Sequence, residues 1–420
     1  MTQNTERKAS PTGTDGLLRN MLYNTIGSLT YQCCLWLLTV LVVVLSNGFE
    51  SSGVLAFAMA TGNMFFAIGT YNMRAFQVSD VNVQYTSHQY IAFRLITIAL
   101  AWAFVLPYTI IVSTDRVVLV STILFLIFKT DECFADVLYG VDQIANRMDI
   151  IGVSQFVRGI AVVISFALIL NFTNSLSTAL LGICVVGVAV TVAFDSRRSN
   201  TFASITPSIT FHEARKLILT CLPVAAAPLC ASMIVSVPRQ YFSTAFGLDA
   251  LGSYAAIATP AVLVQAAAKF LYLPLLVPLA EAWESGDGHS FIQKVLRILV
   301  VMIAISAVVI PVLCVAGRML LPIVFGQEVS DYLYLFPFVL CSTALMAVLW
   351  FLMDVLVICR DTIGQLVASA SAFLISLLIM APLERSMYMN GINVTIIVSV
   401  LFGIAIALVR LVRTARPTTA

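Results

Sequence analysis

Long apolar runs separated by short polar breaks make up nearly all of this 420-residue chain. A helix needs about 20 mainly apolar residues to cross a bilayer. The pattern predicts twelve such helices, at 22–46, 53–72, 90–113, 117–140, 150–171, 175–194, 214–237, 251–279, 293–316, 331–357, 362–382 and 391–412. Breaks such as "STDR" at 113–116 and "NFTNS" at 171–175 are so short that the helices they join must be antiparallel neighbours. The longest polar connection, Asp195 to Lys216, leaves six helices on either side. The expected organisation is a polar tail at 1–16, a six-helix bundle at 17–194, a linker at 195–213, a second bundle at 214–413 and a tail at 414–420. The opening residues, "MTQNTERKASPTGTDG", have no apolar core. The reading is therefore a retained signal-anchor in the first helix and no cleaved signal peptide.

A phrase repeats across the two bundles. "GFESSGVLAFAMA" (48–60) and "GLDALGSYAAIAT" (247–259) share a Gly, a large apolar residue, an acid, and a second Gly three residues after the acid. One would join helices 1 and 2, the other helices 7 and 8. "FADVLYG" and "LMDVLVI" form a second echo, which sets Asp136 opposite Asp354. Two six-helix halves of one hand describe parallel repeats about an axis along the membrane normal. The first Gly of each phrase suits a tight turn, the acid suits a helix N-terminus, and the small residues permit close helix packing. Prolines crowd the second half, at 223, 228, 260, 274, 278, 311 and 337, so helices 7 and 8 are expected to bend.

Composition strengthens the membrane assignment: 60% of residues are hydrophobic and 10% charged, where soluble domains carry about 25% charged residues. The fold class is therefore an all-α integral membrane protein. Of 23 Lys and Arg, seventeen fall on one side of the predicted bilayer. Four (Arg116, Arg239, Arg318, Arg385) fall on the other, and Lys129 and Lys269 lie in the hydrocarbon. That bias predicts both termini in the cytoplasm. No basic stripe for nucleic acid is present. The nine cysteines lie in or beside apolar segments without CxxC spacing, and read as small hydrophobes rather than metal ligands or disulfides. The three histidines, His88, His212 and His289, sit in polar connections. No HExxH, Walker-type or GxSxG pattern occurs, so no enzyme, cofactor or metal is expected.

Charges inside a bilayer cost about 2.5–3.5 kcal/mol each on insertion scales, and usually face the protein interior or a wet cavity. Helix 4 carries "KTDECFAD". At 100° per residue, Lys129, Glu132 and Asp136 share a face and Asp131 points away. Two readings remain open there: a self-neutralising Lys129–Glu132 pair, or a cavity-facing cation beside proton-accepting acids, Glu132 and Asp136. Gln265 and Lys269 lie one turn apart on helix 8, and Lys269 has no acid within helical reach. Asn24, Ser28 and Tyr31 form a polar stripe on helix 1, which serves either helix association or a water-filled path. Arg239, near the outer end of helix 7, could anchor at headgroups or bind a ligand. Arg158 lies close to the cytoplasmic interface, touching lipid phosphate or solvated. The unpaired cations favour an anionic substrate.

The phrases "NTIGSLTYQCCLWLLTVLVVVLS", "GTYNMRAFQVSDV" and "DVLYGVDQIANRMDIIGVSQFVRG", set in twelve helices, resemble bacterial polysaccharide flippases of the multidrug/oligosaccharidyl-lipid/polysaccharide exporter superfamily. The resemblance runs from about Leu17 onward and has no short defining signature. It implies a V-shaped pair of lobes around a cationic cavity, in the bacterial inner membrane. It also implies alternating-access transfer of undecaprenyl-diphosphate-linked oligosaccharide to the outer leaflet for surface polysaccharide synthesis. Glycan polymerases and glycosyltransferases are the implied partners, and a proton or sodium gradient the implied drive. On position alone, Lys129, Lys269 and Arg239, with Gln265, Asn24 and Tyr31, are the expected substrate contacts, and Glu132 and Asp136 the coupling acids.

Three other readings compete. A drug exporter of the same superfamily would prefer an acidic cavity, against which Lys269 argues. A major-facilitator carrier would show a Gly- and Arg-rich signature between helices 2 and 3, which "YNMRAFQVSDVNVQYTSHQY" lacks. A membrane glycan polymerase would need a larger outer loop.

Overall fold

A computed structural model describes residues 14–46, 48–79, 84–113 and 115–414; expectations for 1–13 and 415–420 lie outside these. Among the described residues every regular element is helical. The twelve expected helices are α1 (Thr14–Leu45), α2 (Glu50–Thr70), α4 (Ser87–Val112), α5 (Arg116–Ile144), α6 (Met148–Thr173), α7 (Leu176–Val190), α9 (Phe211–Phe246), α10 (Leu248–Tyr272), α12 (Gly288–Phe325), α13 (Phe336–Ile358), α14 (Thr362–Met387) and α15 (Met389–Thr414). Short helices α3 (Met73–Ser79), α8 (Ser196–Ser199) and α11 (Leu276–Glu284) were not anticipated. Among the described residues, eleven spans are long and apolar enough to cross a membrane. The remaining long helix, α5, has 29 residues but carries Lys129, Asp131, Glu132, Asp136 and Asp142. The chain is a multi-pass membrane protein.

Local chemistry sets the helix ends. Asp115 and Asp361 accept N–H bonds from Val118 and Gly364 at 2.9 and 2.8 Å, capping α5 and α14. Asn174, at φ 50°, closes α6 in the left-handed conformation. The expected bend in α10 is a break: Leu273–Leu275 is a 3₁₀ turn around Pro274 before α11. In contrast, α9 runs unbroken for 36 residues through its prolines.

The chain forms two compact units, Met1–Asn47 with Phe57–Ala225, and Gly48–Ala56 with Ala226–Ala420. The division does not fall in the 195–213 connection. Leu217, Cys221 and Ala225 at the start of α9 pack with Tyr71, Phe93 and Val137, and Tyr71 Oη donates to the Ile218 carbonyl at 3.1 Å. The first turns of α9 therefore stay with the first unit, because their apolar face is buried there. In the second unit, Tyr272, Phe291, Phe351, Leu356 and Leu411 belong to one core.

The echoed phrases meet inside the second unit. Gly48 and Gly247 take φ of +84° and +94°, the left-handed turn that glycine permits. Of the small residues expected to permit close packing, the second glycine of each phrase is the one that does so. A Cβ on Gly53 would collide with the Leu248 carbonyl, and one on Gly252 with the Phe49 carbonyl. Each hairpin thus presses its glycine onto the other's backbone.

Candidate functional site

Three charged groups form along α5 in the first unit. Lys129 Nζ pairs with Glu132 Oε2 at 2.5 Å, and the Tyr31 hydroxyl donates to the other Glu132 oxygen. The ammonium also lies 5.4–5.8 Å from the ring centres of Phe66, Phe125 and Phe128, within cation–π range. Lys129 is thus held by one acid and three aromatic faces. The polar stripe on α1 works as helix glue: Tyr31 reaches α5, and Ser28 Oγ donates to Gln155 Oε1 of α6 at 2.5 Å. Gly27 and Gly152 bring α1 and α6 into backbone contact beside it. Asn24 is half-buried, with Oδ1 lacking a hydrogen-bond partner.

Asp131, on the far side of α5, meets Arg158 of α6. Arg158 also donates to Asp195 Oδ2 at 2.9 Å and to Thr191 Oγ1 at 2.6 Å. Its side chain is 2% exposed, so the expectation of an interfacial, solvated Arg158 is corrected: two carboxylates make its burial affordable. Thr191–Asp195 is a π-helical turn continuing α7. Such turns recur at functional sites, and this one carries both Thr191 and Asp195 to the guanidinium. The sequence could not pair Asp131 and Asp195 with Arg158, from which they lie 27 and 37 positions away.

Asp136 leaves the company of Lys129. It accepts from Arg94 Nη2 at 2.7 Å, while Arg74 Nη1 stands 3.6 Å from its other oxygen. Arg94 is fully buried and also donates to the Gly69 carbonyl at 2.9 Å. Arg74 spends two donors, at 3.2 and 3.0 Å, on the neutral Gln143 Oε1. A cavity of about 470 Å³ opens there, lined by Phe66, Asn72, Arg74, Asp136 and Gln143 among others.

In the second unit Lys269 is exposed and Gln265 half-buried. Lys269 forms no ion pair within 4 Å among the described residues, although its charge reaches Asp354, which accepts from Tyr272 Oη at 3.0 Å. Arg239 lies over the Tyr254 ring, 5.6 Å from its centre, and Tyr254 Oη donates to Asn393 Oδ1 at 2.8 Å. Glu384 is fully buried with neither carboxylate oxygen hydrogen-bonded. The sequence reading missed it, because a lone Glu beside Arg385 at a helix end resembles a loop residue. Asn24, Tyr31 and Lys129 thus belong to the first unit, and Arg239, Gln265 and Lys269 to the second.

No family model matches the chain. A capsular polysaccharide biosynthesis protein, CapF of Staphylococcus aureus, is 20% identical over 317 residues, covering 75% of this chain and 79% of that one. An inward-facing multidrug resistance MATE family transporter of the MOP superfamily superposes with a TM-score of 0.71 at 12% identity, covering 96% of this chain and all of the other. The lipid II flippase MurJ in an inward closed conformation gives 0.68 at 10% identity, covering 94% and 89%. The eukaryotic MATE transporter AtDTX14 gives 0.62 at 16% identity, covering 96% and 98%. The fold of this chain is therefore the one shared by MATE transporters and the MurJ flippase.

Proposed function

We propose that the protein is a flippase that moves a diphosphate-linked oligosaccharide lipid across the bacterial inner membrane by alternating access, with both termini cytoplasmic. The observation that carries this reading is Lys269, a cation in a spanning helix, exposed and without an ion pair among the described residues. A charge at that depth is costly unless water or an anion receives it. A sugar diphosphate headgroup has the complementary need, because it loses its hydration in hydrocarbon. The likeness to CapF and to the MurJ fold supports the same substrate class. Lys129 and Arg239 are the further basic contacts, and Glu132 is the acid placed for coupling to a proton or sodium gradient. Asp136 is bound to Arg94 and serves coupling less directly. Transfer of lipid-linked glycan in reconstituted vesicles tests the reading: Lys269→Ala is expected to slow it at least ten-fold, and full activity of that variant removes Lys269 from the site. Unchanged transport after collapse of the ion gradients removes the coupling role of Glu132.

A second reading, an exporter of cationic drugs, draws on the buried acids. Among the described buried residues of the first unit, Asp131, Glu132, Asp142 and Asp195 outnumber Arg94, Lys129 and Arg158, and Glu384 is uncompensated in the second. Competition of organic cations with the glycan lipid separates the two readings.

A further inference from the structure

The cavity at Arg74 is lined by neither Lys129, Lys269 nor Arg239, and its chemistry is unbalanced. Asp136 is committed to the buried Arg94 at 2.7 Å, and stands off from Arg74 at 3.6 Å. Arg74 instead directs Nε and Nη2 together at one amide oxygen, that of Gln143. A guanidinium fork matches two oxygens of a carboxylate or phosphate, and bonds to such anions are about twice as strong as neutral ones. Gln143 is thus a weak occupant of a strong anion-binding group. The Tyr139 ring, 5.7 Å from Arg74 Cζ, holds the fork in place, and the side chain keeps 27% of its exposure. Asp142 also feels the Arg74 charge but does not line the cavity. The volume of about 470 Å³ lies in the range of small-molecule pockets, roughly 300–1,000 Å³.

We infer that this cavity docks the phosphate groups of a lipid headgroup, with Arg74 exchanging Gln143 for phosphate oxygens. The Lys and Arg bias sets this end of α2 and α5 toward the cytoplasm, where such a headgroup would enter. The site deepens the flippase reading and rests on it for the diphosphate class of lipid.

The test measures binding of farnesyl diphosphate to the full chain in phosphatidylcholine nanodiscs. Wild type is expected to bind it, Arg74→Gln to bind at least ten-fold more weakly, and Gln143→Ala to bind as tightly as wild type or more so. Gln143→Ala deletes the same two hydrogen bonds while keeping the charge, so it separates a lost ligand contact from a lost structural one. Equal binding by Arg74→Gln overturns the proposal, as does a loss in Gln143→Ala equal to that in Arg74→Gln. Inorganic pyrophosphate binding as tightly as farnesyl diphosphate would make this a soluble-phosphate site. Displacement of the probe by nanodiscs of phosphatidylglycerol would make it a site for bulk anionic lipid. Either result overturns the lipid-diphosphate assignment. Binding through Arg74 by a wild type that moves no glycan lipid in vesicles would sink the flippase reading alone.

Discussion

Replacing Arg158 by Met removes the one cation shared by Asp131, Asp195 and Thr191. Two charges about 4 Å apart attract by about 4 kcal/mol at an effective dielectric of 20. Two such pairs put the lost attraction at about 8 kcal/mol. Burying the guanidinium itself carries a penalty of several kcal/mol, which the variant no longer bears. The carboxylates, with Asp131 6% and Asp195 0% exposed, stay desolvated without their partner. The expected net loss is the usual cost of stranding half of a buried pair, about 3–5 kcal/mol. The measurement is equilibrium unfolding in mixed micelles, followed by fluorescence. The control is the triple variant Arg158→Met, Asp131→Asn, Asp195→Asn, which removes all three charges and should recover most of the loss. If Arg158→Met unfolds like wild type, Arg158 is not the hub of a buried charge cluster. If the triple variant is as unstable as the single one, lost packing and not stranded charge is the cause.

Gly53→Ala and Gly252→Ala each place a methyl group against a backbone carbonyl that cannot rotate away, so each should cost about 1–3 kcal/mol in the same unfolding assay; a neutral result would show that the two hairpins separate readily. Asp361 is pulled in two directions: burial raises its pKa, but hydrogen bonds from Arg410 and the Gly364 N–H, with the Arg410 charge, hold it below the ordinary carboxylate value. Its contribution to stability is therefore complete above about pH 3.9 and is lost as pH falls through the depressed folded value. Asp361→Asn should flatten that acid limb of the unfolding profile, and an unchanged limb would remove the group from it. On the coupling role proposed for Glu132, Tyr31→Phe should weaken gradient-driven transport while leaving the helices folded, because it strips Glu132 of its neutral hydrogen-bond donor. Intact coupling in Tyr31→Phe, read as transport against imposed pH steps, would refute the link.

The hydrophobic pattern by itself determined the twelve long helices, because a run of about 20 apolar residues has few other stable fates and must satisfy its backbone internally. It determined as well what lies within one helix. Lys129 and Glu132, three residues apart, had to be neighbours, and Gly48 and Gly247 had to permit turns. Helical periodicity is silent about everything on another helix. Asp136 shares a face with Lys129 on a bare helix, yet Arg94 and Arg74 claim it. Asp131 points away from that face and finds Arg158 there. Asp195, read as the start of a linker, is turned inward by a π-helical turn. The echo revealed a repeat, but only packing showed that Gly53 and Gly252 press on each other's hairpins. Charge partners far apart in sequence are chosen by which helices pack and at what rotation, and that choice is made by the burial of whole faces, which only the tertiary structure records.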